Sequence, residues 1–202
     1  MEFKEVIQER YATKKFDGTE LEESKVKELL EMIKLSASSF GLQPFKVLVI
    51  KDREVKEKLS KASWDQPQIT TCSHLLVFCS DKDVKSRITE YEQMMKDAGI
   101  PEDKVSTYIG MMRGFEEGLS EDHKLTWAQR QTYIAVGNAI NGAKDLGFDS
   151  CPMEGFSAEE YSKTLELDEN LVPTCLVPIG IAADEAHPKI RFKDEELFQY
   201  YP

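Results

Sequence analysis

A chain of 202 residues with 41% hydrophobic and 31% charged content is long enough for one globular domain with a sizeable core. Its net charge of -11, from 37 acidic against 26 basic residues, offers no long-range attraction to nucleic acid phosphates. No stretch approaches the ~18 uninterrupted apolar residues of a membrane span, and the opening Met1-Glu2-Phe3-Lys4-Glu5 lacks the basic and apolar regions of a signal peptide, so a cytoplasmic protein is expected.

In chain order, the first clear element is an amphipathic helix over 20–35, where Val26, Leu29, Leu30 and Ile33 recur at helical spacing. It runs into the loop-like Ser36-Ala37-Ser38-Ser39 and then Gln43-Pro44, after which 45–50 reads as a strand and 54–62 as a helix. The nearly continuous apolar run 74–79 has the composition of a strand covered on both faces. Two helices follow, parted by Gly99-Ile100-Pro101, with Pro101 suited to a first helical turn. Tyr91, Met94, Met95, Tyr108, Met111, Met112 and Phe115 concentrate there, a stripe that fits either core or an adaptable lid over a flat cofactor.

The segment 125–146 has the composition of the most buried helix in the chain, yet it carries Gly137 and Gly142, each costing about 1 kcal/mol of helix propensity relative to alanine. Close approach of another backbone is the expected compensation, from this chain or from a partner subunit. Gly147 follows as a C-terminal cap. Ser157 with Glu160 forms a capping box for a short helix to Leu167. The last strand, 171–182, contains Pro173 and Pro178 and is expected near an edge or bulge at those points. Cys72, Cys79, Cys151 and Cys175 occur singly and read as structural thiols, while His74, His123 and His187 form no metal-ligand motif. No repeat or low-complexity linker divides the chain, so a single domain over 1–202 is expected, with a helical, lid-like excursion at about 83–120.

Arg10 and Lys14 near the start, and Lys189 and Arg191 near the end, have the composition of a phosphate site, the latter pair projecting from one side of an extended segment. On their own, four cations among 26 are ordinary surface charge. Their order around Pro152-Met153-Glu154-Gly155-Phe156, together with Ser38-Ser39 and Gln43-Pro44, resembles the FMN-dependent nitroreductase family over nearly the whole chain.

The resemblance implies an α+β sandwich, a central mixed, mainly antiparallel sheet covered by helices, in an intertwined homodimer whose two subunits share each active site. It implies that Arg10, Tyr11, Ala12, Lys14, Lys189 and Arg191 surround the FMN phosphate and ribityl chain, with Ala12 standing where the family commonly has serine. Pro152, Met153, Glu154 and Gly155 pack on one face of the ring, with the amide of Gly155 or its neighbour directed at N5. Ala37, Ser38, Ser39 and Gly41 match a loop contributed across the dimer interface. Asp65, Gln66 and Gln68 fall where the family places groups touching the ribityl and pyrimidine parts, Gln68 being the better ligand because an amide both donates and accepts. Phe40, Tyr108, Met111 and Met112 are expected to line the substrate space. The implied activity is FMN-mediated transfer of electrons from NADPH or NADH to nitroaromatics, quinones or similar flat acceptors, by a ping-pong mechanism in which no side chain acts as nucleophile. A flavin reductase, another specialised reductase, and a non-catalytic FMN-binding or redox-sensing protein remain alternatives.

Overall fold

The computed structural model describes residues 1–201. Its centre is a sheet of four strands, β1 (Phe45–Ile50), β2 (His74–Asp81), β3 (Asp149–Ser150) and β4 (Leu171–Gly180), in the order β1-β2-β4-β3. The pairings between these strands are all antiparallel, and one parallel bridge, Ala12 to Ser150, extends the β3 edge. The four-stranded sheet is thus antiparallel throughout, and the parallel component expected of a mixed sheet is limited to that single bridge.

Period-2 alternation in β2 and β4 builds two cores. Leu76, Phe78, Cys175, Val177 and Ile179 face α2 (Glu23–Lys34) and α7 (Glu121–Asp145), meeting Leu29, Ile33, Ala135, Val136, Ala139 and Ala143. Leu75, Val77, Cys79 and Leu176 face the other way, onto Leu59 of α3 (Arg53–Lys61), Ile69 of α4 (Pro67–Thr71) and Tyr161 of α8 (Ala158–Thr164). Both faces of β2 are covered, which is why its sequence is apolar without alternation.

Several boundaries differ from the sequence expectation. Helix α2 starts at Glu23 rather than Glu20 because the Leu21 amide donates to the buried Ser73 hydroxyl and holds the preceding residues extended. Pro101 occupies the cap position before α6 (Glu102–Glu117) rather than its first turn. Helix α7 begins four residues before Leu125, at Glu121, because Ser120 accepts the His123 amide and caps it there. Ser157 likewise caps α8 through the Glu160 amide.

Strand β4 lies inside the sheet. Pro173 sits beside a bulge at the Phe78/Cys79 register shift. Pro178 faces β3, where its carbonyl accepts from Cys151 just past the end of that two-residue strand, so its missing N–H breaks no ladder bond there. Gly142 makes room for side chains of α2 rather than for the backbone expected there, since a Cβ would stand 2.9 Å from Met32 Sδ and 3.0 Å from Leu29 Cδ1. Gly137 has nothing within 4 Å of such an atom. Gly147 ends α7 with φ +85.

Helices α1 (Phe3–Glu9) and α9 (Asp194–Leu197) flank the body at either end of the chain. Helix α5 (Val84–Asp97) and α6 form a third core with Leu42, Trp127 and Ala128. The structure describes no helix long and apolar enough to cross a membrane.

Candidate functional site

The segment 10–17 runs along the β3 edge. The Thr13 amide donates to Ser150, Asp17 to Ile181, and Ala183 back to Lys15, so the N-terminal motif is fixed against the end of β3 and the exit of β4. Tyr11 OH and the Lys14 amide both bond Asp184, at 3.1 and 2.7 Å from its carboxylate oxygens. Asp184 was not legible as a site residue, because its role is to tie two segments that are 170 residues apart in sequence.

That stitching brings Arg10, Tyr11 and Ala12 together with His187, Pro188, Lys189, Ile190 and Arg191 around a cavity of about 260 Å³. Arg10 Nε is buried with no partner. Lys189 Nζ donates to the carbonyls of Ile7, at 2.7 Å, and Gln8, at the C-terminal end of α1. Desolvation, then the charges of Arg10, Arg191 and Lys144, push the Lys189 ammonium below its ordinary value. Lys14 does not line this cavity. Its Nζ lies 3.8 Å from Cys151 Sγ, and Gln68 Nε2 approaches the same sulfur at 3.9 Å. Gln68 is buried, and its Oε1 has no partner.

The segment 152–157 is anchored from several sides. Met153 exchanges both backbone bonds with Leu176 of β4, the Gly155 carbonyl accepts from Gln66 Nε2 at 2.8 Å, and the Ser157 amide donates to Ala62. Tyr133, on α7, donates its phenol to the Glu154 carboxylate. Neither the Glu154 nor the Gly155 amide donates to any acceptor among the described residues. Trp64 and Asp65 both take positive φ, 54 and 53, and a Cβ on Gly155 would stand 2.9 Å from Trp64 Cζ3 and 3.1 Å from Gln66 Nε2. Asp65 turns back onto Ser60, whose carbonyl accepts its amide at 2.9 Å, so Gln66 rather than Asp65 reaches the glycine.

Ala37, Ser38, Ser39 and Gly41 sit elsewhere in the chain. Ser39 N–H donates to Gln131 Oε1 at 2.8 Å, Ser38 Oγ accepts the Gln43 amide, and Tyr91 OH lies 3.3 Å from where a Gly41 Cβ would stand. No hydrogen bond among the described residues joins this loop to 10–14, 152–155 or 189–191 of the same chain. Phe40, at φ 58, packs edge-on against Tyr108 and Phe115. Met111 is exposed, whereas Met112 is fully enclosed in the α5–α6 core. The expectation that Met112 lines open substrate space therefore does not hold in this chain: consecutive residues of α6 point about 100° apart around its axis, and Met112 takes the inward direction.

A family model described as Nitroreductase family matches residues 7–181. The chain belongs to that family. A Staphylococcus haemolyticus protein assigned as an NAD(P)H nitroreductase is 35% identical over 208 residues, covering 95% of this chain and 93% of the relative. Among solved structures, the Bacillus subtilis protein YdfN, assigned as a nitroreductase, superposes with a TM-score of 0.93 at 25% identity over 99% of both chains. An Exiguobacterium sibiricum protein of the same assignment, solved in complex with FMN, superposes with a TM-score of 0.89 at 20% identity, covering 100% of this chain and 98% of that one.

The family match stops before Lys189 and Arg191, so the C-terminal pair stands on its geometry alone. The residues fit FMN by observations internal to the chain. The cavity walled by Arg10, Lys189 and Arg191 suits a phosphate dianion, the unpartnered Gln68 oxygen suits a ring or ribityl donor, and the two unbonded amides beside a bare glycine suit the edge of a flat ring. Thr13, beside Ala12, is fully enclosed, and its Oγ1 has no hydrogen-bond partner among the described residues.

Proposed function

We propose that the protein is an FMN-dependent oxidoreductase that passes electrons from NADPH or NADH to nitroaromatics, quinones or similar flat acceptors. When bound, FMN supplies the reversible hydride chemistry; the chain supplies binding, orientation and electrostatics. Arg10, Lys189 and Arg191 hold the phosphate, and Lys14 and Gln68 hold the ribityl and pyrimidine side. The 152–155 segment covers one face of the ring and offers two amides to its edge. The other face is left for a nicotinamide and an acceptor in turn, which makes the kinetics ping-pong.

The observation that carries this reading is the convergence of the N-terminal and C-terminal cations on one cavity beside a loop with unbonded amides. The NAD(P)H nitroreductase assignment of the 35%-identical relative and the FMN complex of the structural neighbour support it.

The same reading makes the protein a cytoplasmic homodimer in a single domain, the α5–α6 pair forming a lid. The separation of Ala37–Gly41 from the rest of the site supports a second subunit, as do Ile190, Phe192, Phe198, Tyr200 and Tyr201, large apolar residues left exposed along the tail. Sedimentation should show a dimer at low micromolar concentration, and a flavin-loaded monomer would overturn the shared site. Initial rates against NADPH at several fixed nitroaromatic concentrations should give parallel reciprocal lines. Bound flavin that no nicotinamide bleaches would instead favour a non-catalytic FMN-binding protein.

A further inference from the structure

Two amides with no acceptor are useful to a ligand only if something fixes their direction. The chain between Met153 and Ser157 has little regular structure to do this, since Met153 ends its pairing with Leu176 one residue before Glu154. The Gly155 carbonyl is held by Gln66, which belongs to a loop with two consecutive non-glycine residues at positive φ. Beside the bond from the Phe156 amide to the Glu154 carbonyl, a side-chain restraint on Glu154 comes from Tyr133, whose phenol donates to its carboxylate. Tyr133 projects from the middle of α7, a 25-residue helix packed on β2 and β4, which makes it the most rigidly mounted of these partners. Its own ring is half exposed beside the loop, so it is not there to fill the core.

We infer that Tyr133 is a positioning residue of this site: by holding the Glu154 carboxylate it keeps the Glu154 and Gly155 amides aimed at the N5 edge of the bound flavin. The inference rests on the FMN reading proposed above. Its consequence follows from hydrogen-bond polarity. Oxidised flavin presents N5 as an acceptor, which an aimed N–H stabilises, whereas reduced flavin carries a proton at N5 and meets the same N–H donor to donor. Fixed amides therefore favour the oxidised form, and loosening them weakens that form selectively. Burial of the phenol, then its bond to Glu154, push Tyr133 above the ordinary tyrosine value, so it stays a donor across the working pH range.

The test compares wild type, Tyr133→Phe, Glu154→Ala and Glu154→Gln. Each apoprotein is titrated with FMN, oxidised and after dithionite reduction, and the midpoint potential of each flavin complex is measured by equilibration with a reference dye. Tyr133→Phe should weaken oxidised FMN roughly tenfold and reduced FMN little, raising the two-electron midpoint by about 30 mV. Glu154→Ala should reproduce the shift, and it carries the same test if Tyr133→Phe does not fold, because the Glu154 side chain is exposed. Glu154→Gln keeps an oxygen for the phenol and should restore the wild-type potential. Equal weakening of both flavin forms, or an unchanged potential in both Tyr133→Phe and Glu154→Ala, would reduce Tyr133 to a structural contact and overturn the inference while leaving the FMN site intact. A wild-type protein that binds no FMN would overturn the underlying reading itself.

Discussion

Replacing Gly155 by alanine separates the cost to the fold from the cost to the site. Gly155 is not among the positive-φ glycines, so alanine can adopt its backbone conformation. The added methyl would stand 2.9 Å from Trp64 Cζ3 and 3.1 Å from Gln66 Nε2. Trp64 is 69% exposed, so its ring can swing away at little cost. Gln66 has more to lose, because its amide donates to Gly155 at 2.8 Å and to Ser63 at 3.1 Å. Weakening two neutral hydrogen bonds costs about 1–2 kcal/mol, against a gain of about 0.4–1 kcal/mol from the smaller entropy of the unfolded chain. The apoprotein should therefore lose less than about 1.5 kcal/mol. A flat ring resting against the same backbone has nowhere to move, and FMN should bind at least tenfold more weakly, a loss of about 1.4 kcal/mol or more. Urea unfolding of the apoprotein and quenching of FMN fluorescence read the two quantities separately. Unchanged FMN affinity would show that the 152–155 segment does not touch the flavin, and collapse of apoprotein stability would show that Gly155 is there for packing.

Arg191→Ala should weaken FMN by about 1.5–3 kcal/mol, roughly ten- to a hundredfold, and leave riboflavin and apoprotein stability nearly unchanged, since among the described residues the Arg191 side chain bonds only its neighbour's carbonyl at Ile190; equal losses for the two flavins would remove it from the phosphate site. His74 is buried, its Nδ1 2.9 Å from Ser73 Oγ, and burial holds its pKa below the ordinary 6.5 despite the opposing charge of Glu23. The unfolded chain then takes up a proton that the folded chain resists, so stability from this group is present above about pH 6.5 and falls as pH drops below it; urea midpoints at pH 7.5, 6.5 and 5.5 should show this fall, and His74→Gln should flatten it.

Much of this architecture was legible in the sequence because local and tertiary preferences agree. Strand β1 was read at its observed bounds, 45–50, directly after Pro44, and β2 declared itself by an apolar run of the kind a doubly covered strand carries. Strand β3 was invisible, since two residues, Asp149 and Ser150, carry no pattern and pair only because β4 lies beside them. Helix α1 escaped notice because Val6 is its one buried side chain. In the site, the four cations and Gly155 were recognisable as residue types in a known order, but their division was not: three line one cavity, while Lys14 turns to Cys151, which Gln68 also approaches. The Tyr133 contact to Glu154 had no signal, because it depends on how α7 crosses the sheet. Met112 was misplaced because composition does not reveal which side of α6 faces α5.

The most direct test is a titration of the wild-type apoprotein with FMN and with riboflavin, followed by flavin fluorescence at low and high salt. Three cations around the phosphate cavity, each contributing about 1.5–3 kcal/mol as charged hydrogen bonds, should make FMN bind at least a hundredfold more tightly than riboflavin, with the gap narrowing as salt rises. Equal affinity for the two flavins, or no binding of either, would contradict the assignment of Arg10, Lys189 and Arg191 as an FMN phosphate site.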